Sequence, residues 1–192
     1  MNEVKLQAGD VLVNVNHKKD IWARIRRWAT GPYSHVFLYM GKLGLLVYLR
    51  QGRLLRFPML FESNGRGVAL QSLSNRYSQE VVVMRLKPEY QGKVPRVLTE
   101  AVKLASDEKA RYDYFCIVKF ILPRIICEKL RLSMPLKYQR NTAMICSECV
   151  AEIFWRAGVE IVPKNIVSLP SSFVETDLLT RVWEGELSID LL

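Results

Sequence analysis

The stretch from residue 144 to residue 155 reads Met144-Ile145-Cys146-Ser147-Glu148-Cys149-Val150-Ala151-Glu152-Ile153-Phe154-Trp155. After Cys146, apolar residues recur at helical spacing: Cys149, Val150, Ile153, Phe154 and Ala157. Gly158 follows at the point where a helix would end. The pattern therefore predicts a helix that begins close to Cys146 and packs one face into a core.

A cysteine in the first turn of a helix has two interpretations. The positive end of the helix dipole favours the thiolate, which is the form that a cysteine nucleophile needs. The alternative is a structural thiol, because cysteine is among the most frequently buried residue types. Residues earlier in the chain favour the nucleophile.

Composition indicates one globular domain over residues 1–192, since the chain is 49% hydrophobic and 24% charged. The net charge of +9 and a pI near 9.5 favour anionic partners such as nucleic acid, phospholipid or acidic polymers. Four cysteines do not make a disulfide-dense scaffold. The first residues do not resemble a signal peptide, and no run approaches the roughly 20 apolar residues of a spanning helix. We therefore expect a reduced, cytoplasmic protein.

In the coarse pattern, strands come first and give way to helices later in the chain. Strands are predicted at residues 10–15, 33–40, 45–49, 53–57, 59–63, 68–73, 80–86 and 159–162. A turn is predicted at residues 41–44, and a hairpin is predicted around Gln51-Gly52. Helices are predicted at residues 18–29, 94–106 and 114–132, with a short one after Leu169-Pro170-Ser171-Ser172.

The helix predicted at residues 18–29 is basic and amphipathic, and it carries Trp22 and Trp28 on its apolar face. It either packs on the core or lies on an anionic membrane surface. The second alternative predicts binding to anionic vesicles that weakens as salt rises.

Two polar side chains stand out in the apolar strands. The chain has two histidines; His17 lies in a polar turn, so His35 is the better candidate for a base that activates a thiol. The alternative is a core histidine whose polar atoms are satisfied by hydrogen bonds and that has no catalytic role. Glu62 is a lone carboxylate that would be costly to bury without a partner, and a nearby imidazolium would serve. Alternatively, Glu62 lies at a strand end and points to solvent.

The local motifs and their order together resemble one known family. They are Gly9-Asp10-Val11-Leu12, Ser34-His35-Val36 with Tyr39-Met40-Gly41, Phe61-Glu62-Ser63 with Gly67-Val68, Tyr112-Asp113-Tyr114, Cys146-Ser147-Glu148-Cys149-Val150 and Leu169-Pro170-Ser171-Ser172-Phe173. This order resembles the circularly permuted branch of the NlpC-type papain-like superfamily, in which the cysteine helix follows the histidine strand. The resemblance covers nearly the whole chain.

The resemblance implies an α+β fold in which an antiparallel β-barrel-like sheet packs against the cysteine-bearing helix. It implies Cys146 as nucleophile, His35 as general base, Glu62 as the residue that orients the imidazole, and Tyr112 as a pocket residue. The implied chemistry is hydrolysis or transfer at amide or ester bonds. Substrates would be peptides, peptidoglycan-like stems, or acyl lipids as in the related lecithin-retinol-acyltransferase-like proteins. No metal or organic cofactor is implied.

The sequence departs from this pattern at two places. The insertion at residues 43–57 is longer than expected between the histidine and glutamate strands. Cys149 replaces a residue that is more often aliphatic and creates a Cys-x-x-Cys motif. As a zinc site the motif lacks a second ligand pair, and as a redox motif it lacks a βαβ context. We expect Cys149 to face the core.

Two other function classes remain open. One is a binding or structural module that keeps the papain-like fold but has a silent site. The other is a nucleic-acid-binding protein, suggested by the net charge of +9. The basic residues are scattered and form no recognised nucleic-acid motif, so nucleic acid is not the expected partner.

Overall fold

The computed structural model describes residues 4–15, 32–46, 54–64, 67–107, 146–164 and 168–192. In this part of the chain the fold is α+β, and its centre is a six-stranded antiparallel sheet with strand order β4-β3-β2-β1-β5-β6. The strands are β1 (Val11–Val15), β2 (Tyr33–Leu46), β3 (Leu54–Asn64), β4 (Gly67–Ser72), β5 (Glu80–Leu86) and β6 (Leu179–Glu186). The expected fold class is thus confirmed at the level of an α+β protein with an antiparallel sheet.

The described helices lie mostly after the strands. They are α1 (Val94–Ala105), α2 (Cys146–Arg156) and the short α3 (Ser172–Glu175). Three 3-10 helices complete the description: Leu73–Arg76, Pro88–Lys93 and Ile189–Leu191. The predicted helices at residues 94–106 and after residue 169 are therefore confirmed, and so is a helix that begins at Cys146.

The sheet buries apolar residues on both of its faces, as strand alternation requires. On β2, Val36, Leu38 and Met40 belong to the core that contains the apolar face of α2. Phe37 and Tyr39 point the other way, into a smaller core with residues of β1, β3 and the C-terminal segment. Burying each large side chain contributes roughly 1.5–3 kcal/mol. The packing of α2 on β2 and β3 therefore fixes where the helix begins relative to the sheet.

The long hairpin of β2 and β3 differs from the sequence-based prediction. The chain does not turn back at residues 41–44; β2 continues to Leu46, which pairs with Leu54 of β3. Gly41, at φ +85°, lies at a β-bulge between Tyr39 and Gly41, so the glycine bends the strand without ending it. The insertion at residues 43–57 thus lengthens both strands, while its turn at Gln51-Gly52 lies outside the described residues.

Two further corrections concern the C-terminal third of the chain. The strand predicted at residues 159–162 is not formed; Val159, Ile161 and Val162 are buried by packing alone, without a ladder partner. β6 was not predicted, because Leu179–Glu186 alternates only weakly in hydropathy. β6 pairs with β5 and forms one edge of the sheet, opposite β4. Over the described residues the sheet is therefore open, whereas the resemblance implied a barrel-like arrangement.

The entry into β1 is held by a close backbone approach and a buried ion pair. Gly9 has φ +96°, and a Cβ atom at this position would lie 2.7 Å from Val94 Cγ1 at the start of α1. Asp10 is 1% exposed, and its carboxylate accepts two hydrogen bonds from the Arg85 guanidinium, at 2.7 and 2.8 Å. These contacts join β1, β5 and α1 at one end of the sheet.

Several sequence-based predictions lie outside the described residues. They are the basic helix at residues 18–29, the helix at residues 114–132, and Tyr112, Cys116 and Cys127. Within the described ranges, no helix has the length and apolar character needed to cross a membrane.

Candidate active site

Cys146 is the first residue of α2, and the packing of this helix sets its position. The core-facing side of the helix is buried through Cys149, Val150, Ile153 and Phe154. Ser147 Oγ donates to Ser168 O at 2.6 Å near the start of α2. At its other end, Trp155 Nε1 donates to Val162 O at 2.7 Å. Cys146 is buried, with 7% of the residue exposed.

The His35 side chain of β2 is hydrogen-bonded to the Cys146 thiol. The sulfur also accepts hydrogen bonds from the backbone N–H groups of Val36 and Ser147. One of these donors follows the histidine in β2, and the other belongs to the first turn of α2. Strand and helix therefore meet at the sulfur, and both supply donors that favour the thiolate.

The other end of the imidazole contacts Glu62 of β3. His35 Nε2 lies 3.0 Å from Glu62 Oε2, which leaves Nδ1 as the ring nitrogen available to the thiol. The ring also packs against Phe37, with centroids 5.8 Å apart. Both ring nitrogens of His35 are thus engaged in hydrogen bonds. The side chain is 20% exposed, so part of the ring remains accessible to solvent.

Glu62 is fully buried and has three polar partners. Besides His35, Arg76 Nη2 donates to Oε2 at 2.5 Å, and Asn64 Nδ2 donates to Oε1 at 3.2 Å. The alternative of a solvent-facing strand-end carboxylate is therefore wrong. The expectation that a buried Glu62 needs a partner is confirmed, and the partners include a permanent cation as well as the imidazole.

The ionisation of the three groups follows from these contacts. Burial opposes charge on the His35 imidazole, but Cys146 and Glu62 outweigh it and raise the His35 pKa to about 9. Burial likewise opposes charge on Glu62, yet His35 and Arg76 lower the Glu62 pKa to about 2. The Cys146 pKa is lowered against its own burial, mainly by His35 and then by the two backbone donors. Near neutral pH, this environment favours a thiolate beside an imidazolium.

Cys149 lies one helical turn further along α2 in a different environment. It is fully buried in the core between α2 and the sheet, as expected, and hydrogen-bonded to Ser63. Burial raises the pKa of its thiol well above the ordinary value, and the Ser63 hydrogen bond offsets only part of this effect. The pKa of Cys146 is therefore lowered and that of Cys149 is raised, although both belong to the same Cys-x-x-Cys motif.

The described residues contain no group of three histidine, cysteine, aspartate or glutamate side chains that could hold a metal ion. A scan against protein-family models found no matching family, and a search of curated proteins found no match. A function for this chain therefore has to be argued from the site itself.

The sequence-based set Cys146, His35 and Glu62 is brought together, whereas Tyr112 lies outside the described residues. Sequence reasoning missed Arg76 and Asn64. The need of Glu62 for a counter-charge called for a cation nearby, but it did not identify Arg76 in the sequence. Arg76 ends the 3-10 helix that directly follows β4, the neighbour of β3.

Proposed function

We propose that this protein is a cysteine-dependent hydrolase, an amidase or peptidase, or an acyltransferase, acting on an amide or ester bond. The main support for this proposal is that the His35 ring is hydrogen-bonded to Cys146 on one side and to Glu62 on the other. A nucleophile, a base and a group that orients the base are the three parts that thiol acyl chemistry requires.

In the acylation step, the Cys146 thiolate attacks the carbonyl carbon and forms the C–S bond. The electron pair of the carbonyl moves to oxygen and returns as the bond to the leaving group breaks. The His35 imidazolium donates its proton to the departing amine or alkoxide and becomes neutral. The product is a thioester on Cys146, and Glu62 holds the ring in place throughout.

In the deacylation step, neutral His35 accepts a proton from the incoming nucleophile. Water gives hydrolysis, whereas an alcohol or amine gives acyl transfer to that group. The thioester carbon is attacked, the C–S bond breaks, and the thiolate is restored beside the imidazolium. The partial exposure of His35 supports access for substrate and nucleophile from the same side.

The arrangement of the chain supports a permuted papain-like fold as part of this proposal. The histidine strand β2 and the glutamate strand β3 are adjacent, and α2 follows them late in the sequence with its cysteine at the first position. Candidate substrates are the classes named for that family: peptides, peptidoglycan-like stems and acyl lipids.

Trapping the acyl-enzyme tests the proposal. The protein would be mixed with para-nitrophenyl acetate, quenched in acid, digested and mapped by mass spectrometry. The proposal predicts an acetyl group on the Cys146 peptide together with a burst of nitrophenol. Cys146→Ala should lose both signals, whereas Cys149→Ala, the matched control on the same helix, should keep them. Acetylation spread over lysines, with none on Cys146, would contradict the proposal.

A further inference from the structure

Arg76 and His35, the proposed base, both contact the same carboxylate oxygen of Glu62. Arg76 Nη2 lies 2.5 Å from Glu62 Oε2, and His35 Nε2 lies 3.0 Å from the same oxygen. The carboxylate thus stands between two cationic groups when His35 is protonated. A change at Arg76 should therefore affect His35 both through this shared acceptor atom and through the loss of a nearby charge.

A second contact fixes the guanidinium beside the imidazole. Arg76 Cζ lies 5.7 Å from the centre of the Phe37 ring, and the same ring packs against His35. A guanidinium over an aromatic face is attracted to it, which limits the orientations that Arg76 can adopt. The Arg76 side chain is 23% exposed, and its Nε is buried without a hydrogen-bond partner among the described residues. Arg76 is thus held by Glu62 and Phe37 at the cost of one unused donor.

We propose that Arg76 is a positioning residue of the Cys146–His35–Glu62 site, which locks the Glu62 carboxylate and supplies the fixed positive charge that balances it. The inference rests on the proposed function only in assigning the reactive thiol to Cys146. Arg76 does not touch the sulfur in this arrangement; it acts through Glu62 and, by way of Phe37, on the imidazole.

The charges around the thiol determine the direction in which the pKa values of Cys146 and His35 should change when Arg76 is replaced. Among the described residues, the titratable and charged groups facing the site are His35 on β2, Glu62 on β3, Arg76 after β4, and Cys146 and Glu148 on α2. Glu152 lies further along α2. Removing the guanidinium leaves an excess negative charge next to both titrating groups. Protonation of the thiolate and of the imidazole then becomes easier, so both pKa values should rise.

The experiment measures the two titrations separately. The rate of Cys146 alkylation by iodoacetamide against pH reports the thiol, and the imidazole NMR signals report His35. His17→Gln leaves His35 as the sole histidine, since the chain has two. In this background, Arg76→Met should move both pKa values upward by about one unit, the scale for losing one neighbouring charge. Arg76→Lys keeps the positive charge but loses the planar guanidinium with its several N–H donors, so the two pKa values should shift much less.

Arg85→Met is the matched control, because it also breaks a buried arginine–carboxylate pair, that with Asp10. Its side chain bonds Asp10 and Lys5 rather than the triad, so neither titration should move. If this variant does not fold, Lys103→Met on the exposed face of α1 serves instead. Unshifted titrations in folded Arg76→Met, or an equal shift in the control, would overturn the inference.

A second pair of variants keeps the test decisive if Arg76→Met fails to fold. Glu62→Gln removes the buried carboxylate and leaves Arg76 beside His35, which should lower both pKa values. Adding Arg76→Met to Glu62→Gln should then raise them again, and no upward shift would reject the inference. Failure of the two proposals is distinguishable. Slow alkylation of Cys146 in the wild type would count against the hydrolase, whereas the His35 titration still reports on Arg76.

Discussion

His35 Nε2 lies 3.0 Å from Glu62 Oε2, and this carboxylate has no exposed surface. The two residues belong to strands β2 and β3, which are adjacent in the sheet and pair from Leu38 and Phe61 onward. A buried carboxylate at this distance both orients the ring and stabilises its protonated form. The reactivity proposed for Cys146 therefore depends on a contact made inside the sheet.

Glu62→Gln tests this dependence, because the amide keeps the shape of the side chain but not its charge. We expect the His35 pKa to fall by at least about one unit, since Arg76 then faces the imidazole without the carboxylate between them. The free energy of unfolding should fall by roughly 3 kcal/mol, the scale for breaking a buried ion pair. NMR titration and urea denaturation measure the two effects. Glu100→Gln, on α1 in an ion pair with Lys103, should leave the His35 titration unchanged.

The pH dependence of activity follows from the raised pKa of His35, which is about 9. The imidazolium is needed to protonate the leaving group, so acyl-enzyme formation should decline as pH rises through about 9. Stability should also decline as pH rises. Because the His35 pKa is higher in the folded protein than in the unfolded chain, the protonated ring contributes its full stabilisation at pH values below the ordinary histidine pKa. This contribution is lost as pH rises through about 9. The stability difference between wild type and His35→Asn should therefore shrink between pH 7 and pH 10. A difference that grows over this range would contradict the raised pKa.

Strands and helices with strong apolar periodicity were predictable from the sequence. Elements that depend on hydrogen bonds to an adjacent strand were not. β1, β5, α1 and α2 have clear apolar periodicity. Gly41 reads as a turn residue, but its bulge against β3 depends on pairing that no local window contains. β6 is an edge strand whose identity comes from its hydrogen bonds to β5 rather than from its own side chains.

The three site residues could be nominated from sequence because each is chemically unusual in its segment. His35 and Glu62 are polar in apolar strands, and Cys146 opens an amphipathic helix. Arg76 could not be nominated in this way, since an arginine in a polar turn is ordinary. Its role becomes visible only when the connection after β4 is placed beside Glu62.

Cys149→Ala should separate the structural thiol from the reactive one. Because Cys149 is fully buried against the sheet, its truncation should lower the free energy of unfolding by roughly 1 kcal/mol. Alkylation of Cys146 should continue at the wild-type rate. Cys146→Ala should remove the fast alkylation and leave the core packing around Cys149 intact. A large loss of Cys146 reactivity in Cys149→Ala would show that the two thiols act together.

Gly9→Ala tests the close approach that holds the start of β1 against α1. The added methyl group would meet Val94 Cγ1 at 2.7 Å, and the residue would have to adopt φ +96°. We expect a loss of roughly 2 kcal/mol in unfolding free energy, combining backbone strain and overpacking. Gly92→Ala is the control, since a Cβ atom there meets nothing within 4 Å. Equal stability of the two variants in thermal or urea denaturation would argue against this close approach.

The most direct test of the central claim is the rate at which each cysteine reacts with iodoacetamide near neutral pH, resolved by peptide mass spectrometry. We expect Cys146 to react faster than Cys149, Cys116 and Cys127, and His35→Ala to slow this reaction without unfolding the protein. If Cys149 is the fast thiol instead, or if Cys146 and Cys149 are joined in a reversible disulfide in the purified protein, the hydrolase proposal is contradicted and a redox role takes its place.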